Sequence, residues 1–280
     1  MVAVGLGLLA ALLWGVHDYC VRVLASRADA LALLVLVFIV GAVIMSPIAL
    51  LSDGWGQFTP TTLGFALISG LFYAAGAYGL YRAFAIGPVR VVAPICGGYP
   101  LLSVAFHMMR GGEAGPPVWL GVIGVVFGIS LVTRGEAGEA AERRIEAVLW
   151  ALLAAFGFAL TFGFSQWAAE TAPETPVIWI ARLMAVVAVF VAVWMRGVSI
   201  APIFSLWWTA VLLGTLDTMA LMLVARAGGF PHAEYAPVTA SMFGIVTVLL
   251  AWKFLNEAMR PIQWIGIIGA FAGLALLSLG

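Results

Sequence analysis

A histidine and an aspartate stand side by side in "LWGVHDYCVR" at residues 13–22, within an otherwise apolar stretch. Both side chains can exchange protons, and a polar group in hydrocarbon is costly unless it pairs or lines a wet path. In a helix, Trp14, Asp18 and Arg22 share one face, with His17 alongside. Two interpretations are open. Either Asp18 forms an ion pair with Arg22, which reaches the interface, or His17 and Asp18 line a water-filled cavity as substrate contact and proton carrier.

Tyrosines concentrate in a later apolar segment, "FYAAGAYGLYRAF" at residues 72–84. Tyr78 and Tyr81 are three residues apart and are predicted to share a helix face, while Tyr73 points elsewhere. A deeply placed Tyr78 hydroxyl needs a hydrogen-bond partner. We therefore predict that Tyr78 and Tyr81 contact substrate. For Tyr81, a place in the aromatic belt at the membrane surface is the alternative.

Proline and glycine interrupt the next apolar segment, "VVAPICGGYPLLSVAFH" at residues 91–107. We expect a kink or local unwinding at residues 96–99, which include Tyr99. A milder interruption, "YAPVTASMFG", follows at residues 235–244. Paired interruptions in corresponding positions of two halves are typical of a binding site at the membrane midplane, so Tyr99 is a candidate substrate contact.

Two charged residues lie inside apolar segments of the second half, Arg182 and Asp217. Asp217 is either a neutral aspartate hydrogen-bonded between helices or a second candidate for proton coupling. Arg182 is close to Trp179 in the sequence. Cation–π packing or an outward-reaching side chain is therefore expected for it rather than substrate binding.

The segments that carry these residues are long enough to cross a membrane. Hydrophobic residues make up 64% of the 280-residue chain and charged residues 9%, unlike a soluble domain. A crossing helix needs about 20 mostly apolar residues. Ten segments fit: 2–24, 30–51, 61–86, 90–110, 116–134, 145–168, 176–195, 204–227, 234–255 and 261–279. The first is interpreted as a membrane span rather than a signal peptide, because it lacks a basic leading region.

The two halves of the chain resemble each other. "LLAA" occurs at 8–11 and at 152–155, and the closing segments share a glycine pattern: Gly121, Gly124 and Gly128 against Gly266, Gly269 and Gly273. We predict an all-α polytopic membrane protein of ten transmembrane helices in two five-helix repeats. Their bounds are 1–134 and 145–280, joined by a cytoplasmic linker at 135–144. Because five is odd, the second repeat must be inverted.

Basic residues predict the orientation, because cytoplasmic loops are rich in Lys and Arg. Ten lie in or beside the loops between segments 1–2, 3–4, 5–6, 7–8 and 9–10: Arg22, Arg27, Arg82, Arg90, Arg134, Arg143, Arg144, Arg196, Lys253 and Arg260. Three lie toward the other side: Arg110, Arg182 and Arg226. Both termini are therefore predicted to lie outside the cytoplasm.

Several classes of protein are excluded by composition and motif content. Thirteen basic and thirteen acidic residues leave no basic field for nucleic acid. Cys20 and Cys96 lie in apolar segments and predict free thiols. The sequence has no HExxH, no GxSxG and no His/Cys cluster, so neither an enzyme, a metal site nor a cofactor is predicted. Inverted repeats favour a transporter that moves a small molecule by alternating access, with an intramembrane enzyme as the remote alternative.

A family resemblance rests on "LLWGVHDY", "GLYRAFAIGPVRVVAPI" and "FLNEAMRPIQWIGIIGAFAGLALL". Over essentially its whole length the chain resembles the EamA-type branch of the drug/metabolite transporter superfamily. The shared features include a Trp-Gly pair, here Trp14 and Gly15, and a glutamate ahead of the last helix of each repeat, here Glu113 and Glu257. The resemblance implies a transporter of amino acids or related metabolites in a bacterial inner membrane, commonly an exporter, and either proton-linked or facilitative.

The sequence departs from the usual pattern of that family in two segments. Val16, His17 and Asp18 stand where a small polar residue and Asn usually follow the Trp-Gly pair, and Asp217 stands where an apolar or small residue is frequent. Both departures add acid or base groups to the expected path.

Two substrate classes therefore stay open. Aromatic amino-acid exporters are the most similar members, because Trp14, Tyr78, Tyr81 and Tyr99 could form an aromatic cavity for a zwitterion. A proton-coupled exporter of lipophilic cationic drugs would instead use Asp18 as the acid that drug and proton share. The protein is expected to be a monomer or homodimer among membrane lipids.

Overall fold

Helices form almost all of the chain that the structure describes. This computed structural model describes residues 2–25, 27–109, 113, 115–132, 139–227, 230 and 235–277, and no strand occurs among them. The helices are α1 (Val2–Leu24), α2 (Ala30–Leu50), α3 (Pro60–Ile86), α4 (Val89–Gly97), α5 (Tyr99–Met109), α6 (Pro116–Val132), α7 (Glu139–Ala169), α8 (Glu174–Arg196), α9 (Trp207–Ala227), α10 (Tyr235–Ala240), α11 (Phe243–Phe254) and α12 (Pro261–Leu277). Short 3-10 turns lie at Trp55–Gln57 and Ala201–Leu206.

Six helices are long and apolar enough to cross a bilayer: α1, α2, α3, α8, α9 and the Glu142–Ala169 part of α7. Shorter apolar helices occupy Val89–Leu102, Pro116–Val132, Phe243–Phe254 and Pro261–Leu276. Within the described residues, each of the ten predicted segments coincides with one helix or with a consecutive pair; residues 110, 133–134, 234 and 278–279 of these segments lie outside the described residues. Residues 139–144 of the predicted linker are helical, because α7 begins at Glu139 and its first turns are rich in Ala, Glu and Arg, which favour helix.

The two interrupted segments are each divided into two helices, as the sequence predicted. The first is divided at Gly98, between α4 and α5. Pro94 and Pro100 lack the N–H groups that a continuous helix would use, and the Gly98 N–H turns back to the Ile95 carbonyl at 3.1 Å. The second is divided at residues 241–242, between α10 and α11.

Close helix pairs are built on small residues. α3 packs along α7 and α6 packs along α12. A Cβ added at Gly128 of α6 would collide with the backbone of Gly266 and Ala270 in α12, so this pair can approach only without side chains there. The glycines of the pattern shared by these two segments lie at the contact between α6 and α12.

The direction of α3 against α7 defines two ends of the bundle. The Thr62 hydroxyl near the start of α3 lies 2.6 Å from that of Thr171, which follows the end of α7. Gly87, after the end of α3, lies against Ala147 near the start of α7. The two helices are therefore antiparallel, and the α7–α8 connection lies at the opposite end of the bundle from the α3–α4 connection.

Candidate functional site

A central cavity of about 380 Å³ lies between α1, α2, α3, α5, α7, α8 and α9. Its size is within the range of about 300–1,000 Å³ that is usual for small-molecule sites. At the α7–α8 connection, Gln166 and Glu174 line the cavity and are exposed, so we name this end the mouth. His17, Asp18 and Tyr81 line it toward the other end and are buried, so we name these three residues the floor.

One wall of the cavity holds a buried ion pair between Arg182 of α8 and Asp217 of α9. The Arg182 Nη1 donates to Asp217 Oδ2 at 2.6 Å. Two further side chains donate to the same carboxylate, Tyr73 through its hydroxyl at 2.8 Å and Trp14 through Nε1 at 3.1 Å. Arg182 is 1% exposed and Asp217 7%, so the two charges depend on each other.

Aromatic rings hold the guanidinium of this pair in place. The Arg182 Cζ lies 4.7 Å from the ring centroid of Tyr73 and 5.6 Å from that of Phe38, and those two rings are stacked with centroids 5.0 Å apart. A cation over an aromatic face is attracted by the ring quadrupole. We name Trp14, Tyr73, Arg182 and Asp217 the Asp217 cluster. Its geometry fixes one carboxylate and one guanidinium at the cavity wall.

The floor contains a second, smaller polar group. His17 Nδ1 lies 2.9 Å from Asp18 Oδ1, and His17 Nε2 lies 3.3 Å from the Tyr81 hydroxyl. Asp18 Oδ2 is buried and has no hydrogen-bond partner in the described part of the chain. A buried carboxylate oxygen without a donor is costly, so it marks the place where a proton or a cationic group of a ligand would be stabilised.

The predicted local alternative, an Asp18–Arg22 ion pair, is wrong. Arg22 instead donates from Nη1 to the Phe84 carbonyl at 2.7 Å, and its Nε lies 3.5 Å from Glu257. The two side chains share a helix face, but Asp18 is held by the adjacent His17 while Arg22 reaches past the end of α3. The polar pair of the opening segment therefore belongs to the cavity and not to the membrane surface.

Aromatic side chains complete the walls, and four of the five predicted substrate contacts lie there. Trp14, His17, Tyr81 and Tyr99 all line the cavity. Tyr99 stacks on Phe162 with centroids 5.1 Å apart, and Trp14 meets Phe243 edge to face at 6.3 Å. Both proton-coupling candidates, Asp18 and Asp217, line it as well.

Tyr78 lies away from the central cavity. Its hydroxyl accepts a hydrogen bond from Arg196 Nη1 at 2.7 Å, and its ring meets Trp150 edge to face at 5.4 Å. The prediction that Tyr78 and Tyr81 share a face while Tyr73 points elsewhere is wrong. Tyr73 and Tyr81 line the cavity, because α3 is rotated about its axis so that residues 69, 73, 77 and 81 form its inner face.

Arg182 is the main site residue that sequence reasoning missed. Cation–π packing was predicted, but it occurs on Tyr73 and Phe38 inside the bundle rather than on Trp179. Trp179 donates instead to Ser46 and to the Ala42 carbonyl of α2. One signal could have found the pair: Arg182 and Asp217 are opposite charges in successive apolar segments, and charges inside a membrane usually pair with one another.

A bundle of apolar helices around a cavity with a buried ion pair and two divided helices defines a helical membrane protein with an internal polar cavity. A sequence model described as the EamA-like transporter family matches residues 1–134 and, separately, residues 145–279. The chain belongs to the EamA-like transporter family. It is therefore a multi-pass membrane protein and a membrane transporter of the drug/metabolite transporter superfamily.

The fold of this chain is similar to that of a protein of known structure. A protein of known crystal structure matches 99% of this chain and 96% of its own chain, with a TM-score of 0.70 and 18% sequence identity. This likeness shows that the fold is shared. No curated protein sequence matches the chain significantly.

Proposed function

We propose that this transporter exports amino acids or closely related small metabolites, aromatic or other neutral ones first, by alternating access around the central cavity. The observation that carries the proposal is the pairing of two polar groups with aromatic walls in one cavity. The Asp217 cluster presents a fixed guanidinium, and the floor presents a carboxylate oxygen without a donor. A zwitterion carries a carboxylate that suits the guanidinium and an ammonium group that suits the carboxylate oxygen.

The charges of the cavity favour a ligand with an ammonium group. Asp217 is neutralised by Arg182 at 2.6 Å, whereas Asp18 has only the histidine beside it. The ammonium group of an amino acid would compensate Asp18, and its carboxylate would lie toward Arg182 and Tyr73. The side chain would then contact Tyr99, Phe162 and Trp14, which suits an aromatic or apolar residue.

Alternating access is supported by the way the cavity is assembled. The separate family matches to residues 1–134 and 145–279 support two repeats with a linker near residues 135–144. The Asp217 cluster takes Trp14 and Tyr73 from the first of these parts and Arg182 and Asp217 from the second. An inverted arrangement of the two repeats would allow the cavity to close at one end and open at the other.

The positions of the basic residues support one orientation in the membrane. Arg22, Arg82 and Arg90 lie near the ends of α1, α3 and the start of α4, away from the mouth. Since cytoplasmic ends are rich in arginine, we place the mouth and both termini on the periplasmic side of a bacterial inner membrane. The described conformation is then open outward.

A second candidate function is proton-coupled export of lipophilic cationic drugs. The unpartnered Asp18 oxygen between aromatic walls favours it, because a cation would be stabilised by the carboxylate and by ring faces. This candidate differs from the first in one respect: a drug without a carboxylate would form no ion pair with the guanidinium of Arg182.

The test is transport in proteoliposomes with a panel of radiolabelled amino acids and lipophilic cations, comparing Tyr73→Phe with Tyr78→Phe. Both variants remove one hydroxyl from α3. Of these two hydroxyls, only that of Tyr73 donates to Asp217. Tyr73→Phe should therefore lower amino-acid kcat/KM about tenfold, while Tyr78→Phe leaves it unchanged.

The cation arm separates the two candidates. Transport of cations alone, insensitive to Tyr73→Phe, would replace the amino-acid proposal with the drug proposal. Equal effects of the two variants on every substrate would show that the central cavity is not the substrate site.

A further inference from the structure

A second ionic contact closes the bundle at the end opposite the mouth. Arg22 at the end of α1 donates from Nη1 to the Phe84 carbonyl of α3 at 2.7 Å, and its Nε lies 3.5 Å from Glu257 Oε1. The same Glu257 oxygen accepts from the backbone N–H of Val89, the first residue of α4, at 3.2 Å. Arg22 and Glu257 thus connect α1, the α3–α4 connection and the segment between α11 and α12.

The chain places Glu257 there by a specific turn. Asn256 has φ 52°, the only left-handed conformation of a non-glycine residue in the described part of the chain. The Glu257 N–H bonds back to the Ala251 carbonyl at 3.4 Å, and the Leu255 N–H bonds to the same carbonyl at 2.9 Å, at the end of α11. Asparagine tolerates this conformation better than most residues, so the Asn-Glu sequence turns the glutamate toward the N-terminus of α4, where a carboxylate is favoured.

The contact lies across the continuation of the cavity. Arg22 is one helical turn beyond Asp18 on the same face of α1, and Val21 is one turn beyond His17. Val21, Phe84 and Val89 are fully buried, so the path from the floor to this end is filled by side chains. A ligand in the central cavity could leave in this direction only if the α11–α12 connection separated from α1 and from the α3–α4 connection.

We propose that Arg22 and Glu257 form a latch that holds the transporter closed at the end opposite the mouth and that the latch opens during each transport cycle. This inference rests on the proposed alternating access. The latch is only partly satisfied, because Arg22 Nε and Glu257 Oε2 are buried without hydrogen bonds of their own in the described part of the chain. Water entering this end would solvate both atoms, which lowers the cost of separation.

The other half of the chain lacks the same charge pair. At the spacing of 144 that relates Glu113 to Glu257, the position of Arg22 corresponds to Gln166 at the mouth. Glu113 and Gln166 are both exposed in this conformation. A glutamine cannot form an ion pair, so the charged latch favours closure at one end only, and this agrees with the open mouth.

The experiment measures accessibility and needs no substrate. Val21→Cys, in a Cys20→Ser and Cys96→Ala background, reports opening at the latch end through its reaction with a membrane-impermeant maleimide applied from that side. Glu257→Gln keeps an oxygen for the Val89 N–H but loses the charge. It should raise the labelling rate about tenfold, and Arg22→Gln should do the same. Glu113→Gln is the matched control and should not change the rate.

A second reporter distinguishes opening from loosening. Ser165→Cys lines the cavity on the mouth side. If the latch controls alternation, Glu257→Gln should slow labelling of this cysteine from the mouth side while it speeds labelling of the Val21→Cys reporter. Faster labelling of both would mean that the variant merely loosens the bundle and would overturn the latch. Unchanged labelling of both in Glu257→Gln and Arg22→Gln would overturn it as well.

The double variant tests whether the two residues act as one unit. Arg22→Gln combined with Glu257→Gln should label no faster than either single variant, because the contact is already lost in each. If the labelling rate of the double variant rose by the product of the two single effects, the two residues would act independently and not as one latch. If labelling responds as expected but no amino acid is transported, the latch stands and only the substrate assignment fails.

Discussion

Replacing Asp217 by asparagine tests the central ion pair most directly. The shape of the side chain is kept, and the amide oxygen can still accept from Trp14 Nε1, while the amide NH2 would take the position that now accepts from Tyr73 and could donate to the Tyr73 hydroxyl. Arg182 would keep its charge at 1% exposure with no carboxylate beside it. Removing one partner of a buried ion pair lowers the free energy of unfolding by about 3–5 kcal/mol. Each kcal/mol lowers the melting temperature of a chain this long by about 2–4 °C, so we expect Tm to fall by roughly 10 °C.

The assay is the loss of monodisperse purified protein on heating, followed by size-exclusion chromatography. Asp53→Asn, at an exposed loop position, is the matched control and should leave Tm unchanged. Adding Arg182→Gln to Asp217→Asn should restore part of the lost stability, because the unpaired charge is removed. A Tm for Asp217→Asn equal to that of the wild type, or losses that simply add in the double variant, would refute the buried pair.

Two further predictions concern the floor and the helix packing. Asp18→Asn should lower amino-acid exchange, because the ammonium group loses its charged partner, and it should abolish the acceleration of the remaining exchange by a proton gradient, measured in proteoliposomes with and without a pH difference; an unchanged acceleration would rule out Asp18 as the proton carrier. Gly128→Ala should lower Tm, because the new methyl group meets the backbone of α12, with a cost of about 1–3 kcal/mol, whereas Gly5→Ala, where nothing lies within 4 Å, should not; equal effects would contradict the tight α6–α12 contact.

The helices and their breaks were predictable because each depends on local chemistry. The length of an apolar segment sets its helix, and Pro94, Gly98 and Pro100 remove hydrogen bonds wherever the rest of the chain lies. The cavity residues Trp14, His17 and Tyr99 were predictable for a similar reason. They are polar or aromatic groups at a depth, or beside a break, where only an interior position satisfies them.

The rotation of α3 could not be predicted from the spacing of its tyrosines. The three tyrosines are compatible with several rotations of α3 about its axis. Packing against α7 determines which face of α3 points toward the cavity. Gly76 and Gly79 both lie against α7. A Cβ added at Gly79 would lie 2.8 Å from the Trp150 carbonyl oxygen. This contact turns Tyr73 inward and leaves Tyr78 to Arg196. For Arg182 and Asp217 the sequence offered a signal, two opposite charges in successive apolar segments, but the geometry of their contact depends on how α8 and α9 meet.

The distribution of the polar contacts between the two family-matched parts of the chain indicates which of them must change during transport. The Asp217 cluster and the latch each join residues before position 135 to residues after position 144, so a relative movement of the two parts strains both. The floor differs, because His17, Asp18 and Tyr81 all belong to the first part. We therefore expect the floor to move as one unit with α1 and α3, carrying its proton or ligand, while the contacts that cross between the parts break and form around it.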